Sequence, residues 1–467
     1  MIRSYHLLLL IVSLIVLSCS QVEKKPSLDG DERPTIKLEV KKWELPNGIR
    51  LLVLENQTLP IMSYYTFYEV GGRHETPGTT GATHFLEHMM FRGSKNYPPE
   101  VFDSTIEKFG GSTNAYTNFD MTVYYESLPS AHLEEMIEME ADRVRGLLLV
   151  PELVEKERQV VFEERKMRYE NSPEGKLYLR MMQEVFKGTP YGGSVIGEVK
   201  DLEALTPDNL RAFHDRFYVP NNMVIVIAGD VDADEVYSLV KSNFGDLSES
   251  KELADFKKQT DARARYQFKS KKIANEIKLN GTSPTPLFMY AFQGLPVGER
   301  ASYVMDILSS VLGDGESSWL NQSLVKGRKA QLSSVYAANY TLQHNGVFFF
   351  GGELARGQNL SRFKSSLQNL IKGKMCEDAI TERTVQKTKN QYLISFFQSL
   401  KTNAGAAHFV GLRESLFGDY KEYKKEVDIY ESITTDEVKK ACYEVLKNGE
   451  GIFLSIWDKH KEEKGSR

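Results

Sequence analysis

The feature that most limits how this chain folds is a doubled succession of strand-like runs and long helices, met once before about residue 246 and again after about residue 265. In the first half, "LPNGIRLLVLE" places Asn47-Gly48 before an alternating apolar run, which predicts a hairpin. Met62 to Val70 reads as a strand ending at Gly71-Gly72, and Ala115 to Leu128 and Met223 to Ala228 read as further strands. Thr80 to Phe91, Ala131 to Leu148 and Pro151 to Tyr169 read as helices, the last opening on a proline whose missing N–H is tolerated there. In the second half "TPLFMYAFQGLP" and "NGVFFFGGELA" are strand-like. Ala301 to Val311, Gln358 to Lys372, Thr381 to Ser399 and Thr435 to Leu446 are helix-like. A chain of 467 residues is too long for one ordinary core, so two α+β domains follow, joined through Asp246 to Asp261, which is charged and lacks apolar periodicity. The division is a first domain at 36–250 and a second at 262–467, preceded by a leader at 1–19 and a tether at 20–35.

Composition narrows the class. Hydrophobic residues at 41% and charged residues at 26% describe a globular chain. A net charge of -5 offers phosphate backbones no general attraction, so nucleic acid is not an expected partner. The Lys-rich pieces around Lys257 and Lys271 read as solvated surface. At the N-terminus, Arg3 precedes an apolar run from Leu7 to Leu17, long enough for an export signal and too short to span a bilayer. It ends in Val16-Leu17-Ser18-Cys19, which resembles a bacterial lipoprotein processing site, with Leu17 bulkier than usual. The expectation is a lipid-carrying Cys19, several acyl chains for stable anchoring, and a folded body facing the periplasm, held off the outer membrane by the polar segment Ser20 to Pro34. Cys376 and Cys442 could form one disulfide at most, and their spacing alone leaves open whether they pair.

The sharpest local signal is His84-Phe85-Leu86-Glu87-His88. A helix turns about 100° per residue, so His84 and His88 lie one turn apart on one face and can converge on an ion. Neutral imidazoles suit zinc, and catalytic zinc sites take three protein ligands and keep one position for water. Glu87 shares the face without having to be a ligand, which suits a general base that activates the water. The third ligand must come from elsewhere. In "PELVEKERQVVFEERKMRYE", Glu157 and Glu164 are seven residues apart and share a helix face, while Glu163 is rotated away. Glu164 is therefore the ligand candidate and Glu157 the carboxylate that orients a histidine or the ligand. The bland alternative, two chance histidines and a solvated acidic helix, is weakened by the apolar neighbours Phe85, Leu86, Met89, Met90 and Phe91, among which uncompensated polar groups are costly. The order H-x-x-E-H is itself an inverse-zincin signature.

"GATHFLEHMMFRGSKNYP", "EKFGGSTNAYTNFDMTVYYESLP" and "ERQVVFEERKMRYENSP" together resemble the pitrilysin family of metallopeptidases, in its shorter branch with the mitochondrial processing peptidases. "LPVGERASYVMDILSSVLGDGESSWL" is similar to the opening of that family's second domain. The resemblance implies two related α/β-sandwich domains forming one half of a clamshell peptidase. It implies one zinc per chain on His84, His88 and Glu164, with Glu87 as base and Glu157 in support. It further implies that the edge near Asn114 and Ala115, which composition alone reads as core sheet, pairs with the backbone of an unfolded peptide substrate. The family's second half supplies an Arg and, seven residues later, a Tyr to stabilise the scissile carbonyl. Here those positions align with Val325 and Leu332, which donate no hydrogen bond. Arg328 and Tyr336 lie nearby in a different register. The expected partner is therefore a related chain that lacks H-x-x-E-H and carries the Arg and Tyr. A homodimer and a non-catalytic zinc-binding scaffold subunit are the alternatives.

Overall fold

Gly48 takes φ +90°, and its amide donates to Leu45 O at 2.8 Å, closing the turn that the Asn-Gly pair announces. Strand β1 (Lys41–Glu44) thereby folds back antiparallel on β2 (Arg50–Glu55) with Glu44 opposite Arg50. A computed structural model describes residues 38–265, 276–281 and 283–458 of the chain. The leader, Cys19, the whole of the tether and Lys271 lie outside the described residues.

With β3 (Ile61–Tyr68), β4 (Ser112–Thr117), β5 (Thr122–Pro129) and β6 (Met223–Gly229), these strands form a six-stranded sheet in the order β1-β2-β6-β3-β5-β4. The run "MVIVIAG" of β6 lies between two strands and is buried throughout, which its unbroken apolar composition requires. The stretch Ala115 to Leu128 is not one strand but the two arms of a hairpin. Asn118 Oδ1 accepts the amides of Asp120 at 2.7 Å and Met121 at 2.9 Å, and this side-chain turn reverses the chain where propensity alone shows a continuous run.

A five-stranded sheet follows, built from β7 (Glu276–Asn280), β8 (Leu287–Gln293), β9 (Leu332–Thr341), β10 (Gly346–Leu354) and β11 (Ile452–Trp457), in the order β7-β11-β8-β10-β9. The sequence reading announces β8 and β10 but not β7, β9 or β11, and β9, "LSSVYAANYT", is hard to see in the apolar pattern because it is an edge strand with few buried side chains. The expected unstructured joint is largely helix, Leu253–Ala264, anchored by buried Leu253, Thr260 and Ala264. Lys257 on it is not freely solvated, since its ammonium meets Glu69 at 2.5 Å.

Each sheet is covered partly by a helix from the other half. The Pro173–Val185 helix places Leu177, Met181 and Met182 in one cluster with Leu287, Met289 and Leu454. The Asn403–Phe417 helix lies across β3 and β6, close enough that a Cβ on Gly411 would come within 2.1 Å of the Phe67 ring. Cys376 and Cys442 are disulfide-bonded inside the second core. No helix among the described residues is long and apolar enough to cross a membrane.

Candidate metal centre

The Ala82–Met89 helix starts on Gly81 at φ +89°, where a Cβ would meet Ile196 O at 2.2 Å, so only glycine fits the bend. Glu75 receives the amides of Gly81 and Thr83, each at 2.8 Å, and satisfies two donors that the helix leaves open. The buried Phe85, Leu86 and Met89 press the helix into the core, and His84 and His88 are then turned towards the Pro151–Arg165 helix. Their rings lie 4.7 Å apart.

Glu164 meets them. Its Oε2 lies 3.1 Å from His88 Nε2 and 3.5 Å from His84 Nε2, and the three donor atoms all fall within 4.8 Å of one another. A tetrahedral ion with bonds of about 2.0 to 2.1 Å holds its ligand atoms roughly 3.3 Å apart, so these separations fit a single small ion. The other oxygen of Glu164 accepts Arg168 Nε at 2.8 Å, which turns the carboxylate to present one oxygen to the histidines. Glu157, buried beneath, takes His88 Nδ1 at 2.8 Å and an ion pair with Arg92. This contact leaves His88 Nε2 as the free nitrogen facing the site, as an orienting carboxylate should. His84 buries Nδ1 without a protein partner and likewise turns Nε2 to Glu164.

The electrostatics favour positive charge at this point. Burial opposes a charged His88, yet Glu157 and Glu164 outweigh it and lift its pKa to about 9. The Glu164 carboxyl, which burial by itself would raise, is held well below the ordinary carboxylate range by His84, His88 and Arg168. A divalent ion would compete for the place that such a proton takes.

Glu87 stands apart from the converging atoms. It is half-buried, and its Oε2 accepts the hydroxyl of Thr117 at the end of β4. Glu163 faces solvent and pairs with Lys166 at 2.7 Å, as its helical phase requires. Asn114 and Ala115 lie on β4, which among the described residues has β5 as its one neighbour in the sheet. The Ala115 amide donates to Asn114 Oδ1 at 2.8 Å. Val325 ends a short helical turn, Asn321–Val325, and Leu332 is buried at the start of β9. Arg328 is exposed between them, while Tyr336 lies across Gly351 of β10 with its ring edge against Phe349.

Sequence reasoning did not anticipate Thr117, Arg92, Arg168 or Glu75. Arg168 had a signal: it follows Glu164 by four residues, the i,i+4 spacing of helical ion pairs. It sits where the helix widens over Lys166–Glu170, a local change of pitch that periodicity does not reveal.

Comparison with known proteins finds relatives along most of the chain. Residues 52–199 match the family model described as Insulinase (Peptidase family M16), and residues 204–392 match the one described as Peptidase M16 inactive domain. Zinc protease PqqE of Helicobacter pylori is 32% identical over 388 residues, covering 80% of this chain and 82% of that protein. The uncharacterized zinc protease YmxG of Bacillus subtilis is 26% identical over 415 residues, covering 89% of this chain and 98% of that protein. Among solved structures, a protease from Helicobacter pylori superposes with a TM-score of 0.80 at 24% identity over 90% of this chain and all of that one. A peptidase M16 inactive domain from Pseudomonas fluorescens superposes with a TM-score of 0.76 at 16% identity, covering 90% of this chain and 98% of that one. Both halves answer to the family's models and the pitrilysin-like motifs fall where the fold brings them together, so the chain belongs to peptidase family M16.

Proposed function

We propose that this chain is a zinc-dependent endopeptidase acting on unfolded peptides. The observation that carries the reading is the convergence of His84, His88 and Glu164 at ligand-like separations while Glu87, on the same helix, remains spare. The names of the relatives, zinc proteases, support the metal. His84, His88 and Glu164 hold one zinc, which supplies Lewis acidity and makes a water easier to deprotonate. Glu87 takes the proton of the attacking water and returns it to the leaving amine, with Thr117 keeping its carboxylate in line. The substrate joins the free edge of β4 as an added strand, its backbone replacing the Asn114 side chain at the Ala115 amide. Recognition then reads main chain before side chains, so unfolded segments are preferred.

The donors for the scissile carbonyl come from elsewhere in this reading. Val325 and Leu332 offer none, and the working form is a heterodimer with a related chain that supplies the Arg and Tyr and closes the clamshell. The test is a reconstitution. The purified chain is expected to bind about one zinc and to cleave an unfolded peptide weakly, and the partner is expected to raise cleavage on the order of a hundredfold or more. Chelation abolishes the gain and zinc restores it. Strong cleavage by the chain alone, lost on Tyr336→Phe or Arg328→Ala, would point to a homodimer instead, and bound zinc without cleavage, with or without the partner, would point to a scaffold subunit.

The same reading places the body at the outer membrane, periplasm-facing, through Cys19. Mass spectrometry of the mature N-terminus is expected to show cleavage before Cys19 and a mass increment for several acyl chains. A free Cys19 thiol on a soluble protein refutes the anchor.

A further inference from the structure

Strand β4 sends its side chains two ways. Thr113 and Thr117 face the Glu126 and Glu87 carboxylates of the first half, whereas Tyr116 points to the opposite face of the sheet. There its hydroxyl meets His408 Nε2 at 2.8 Å. His408 belongs to the Asn403–Phe417 helix of the second half, 292 positions downstream, and sits among the rings of Tyr65, Phe67 and Tyr116 at centroid distances of about 6 Å.

The helix that carries His408 is fastened independently at both ends. Asn403 reaches Ile61 O at 3.1 Å and Asn56 at 2.8 Å. Buried Glu414 takes Lys42 at 2.7 Å, and its carbonyl takes Arg50 at 3.0 Å. His408 therefore adds little to where the helix lies. Its hydrogen bond goes to β4, an edge strand of the six-stranded sheet among the described residues, at the residue between Ala115 and Thr117.

We infer that His408 is a positioning residue for peptide addition: through Tyr116 it holds the open edge of β4 at the distance and twist that an incoming strand needs. The inference rests on the reading of β4 as the peptide-accepting edge. It assigns the second half a task at the catalytic side of the molecule that is separate from supplying donors. An edge strand is tied to a neighbouring strand on one side only, so side-chain contacts behind it limit how far it frays, and Tyr116–His408 is the contact that β4 makes with the second half. Burial and the nearby Arg413 lower the basicity of His408, which keeps the imidazole neutral and leaves one ring nitrogen able to accept the tyrosine proton.

The experiment uses the zinc-loaded full chain. Without peptide, hydrogen exchange of the 113–117 amides is expected to quicken roughly tenfold in His408→Ala and in Tyr116→Phe, the scale of one net hydrogen bond, with the Ala82–Met89 amides and zinc content unchanged. In the Glu87→Gln background, which binds without turnover, each variant is expected to weaken an unfolded peptide about tenfold, the double variant no further, and His408→Gln to recover most of the loss because its amide reaches the place of Nε2. Unaltered exchange at 113–117 in both variants overturns the inference, whatever the peptide does. Quickened exchange with peptide affinity unchanged overturns it too, because His408 then serves stability alone. A peptide that fails to bind even the His408 and Tyr116 chain refutes the strand-addition reading instead, and the exchange result still shows whether His408 holds β4.

Discussion

Glu87→Gln is expected to leave one zinc bound per chain and to lower peptide turnover roughly a hundredfold to ten-thousandfold, the range a positioned general base contributes. The amide keeps the shape of the side chain and can still meet Thr117, so the helix and the histidines have no reason to move. What it loses is the capacity to take a proton. Because Glu87 is not among the three converging ligand atoms, metal content and turnover should separate, a result that a ligand substitution cannot give. Metal analysis beside a cleavage assay on the reconstituted pair reads both. Near-normal turnover would remove Glu87 from its role and leave the ligand set standing.

Glu164→Ala is expected to fall from about one zinc per chain to near none after dialysis, and to lose activity with it. Two imidazoles one helical turn apart remain, but the only ligand from the second helix is gone, and Arg168 loses its carboxylate partner and leaves a cation beside the site. Glu157→Ala is expected to be milder, about ten- to a hundredfold in zinc affinity, since it orients His88 without touching the ion. Competition with a coloured chelator ranks the two. Thermal unfolding supplies a second measure, because an ion bound only to the native state raises its stability with concentration. Zinc should therefore shift the midpoint of the original chain and not that of Glu164→Ala. A Glu157→Ala loss equal to that of Glu164→Ala would make Glu157 a ligand and require the site to be redrawn.

Much of this site could be read from local pattern. His84, Glu87 and His88 share a helix face because 3.6 residues make a turn, and a turn is decided within a few residues of the chain. The phase of the second helix likewise separated Glu157 and Glu164 from Glu163, and their contacts follow that division. The same kind of reading failed where side chains override propensity. Asn118 turns a run of strand formers into a hairpin, and that turn is what makes β4 an edge. Leu253, Thr260 and Ala264 likewise give a charged stretch just enough buried surface to be a helix.

Sequence by itself determined the helix that carries both histidines, Glu87 beside them, and the choice of Glu164 and Glu157 as the carboxylates to consider, since each depends on spacing along one element. The tertiary structure alone decided that Glu164 comes to 3.1 Å of His88, that Arg168 and Arg92 steady the two carboxylates, that Thr117 meets Glu87, and that His408 reaches Tyr116 across 292 positions. Such contacts join elements far apart in the chain. Their geometry is set by how buried faces such as Phe85, Leu86 and Val161 fit together, a property of the packed core that no local pattern of residues encodes.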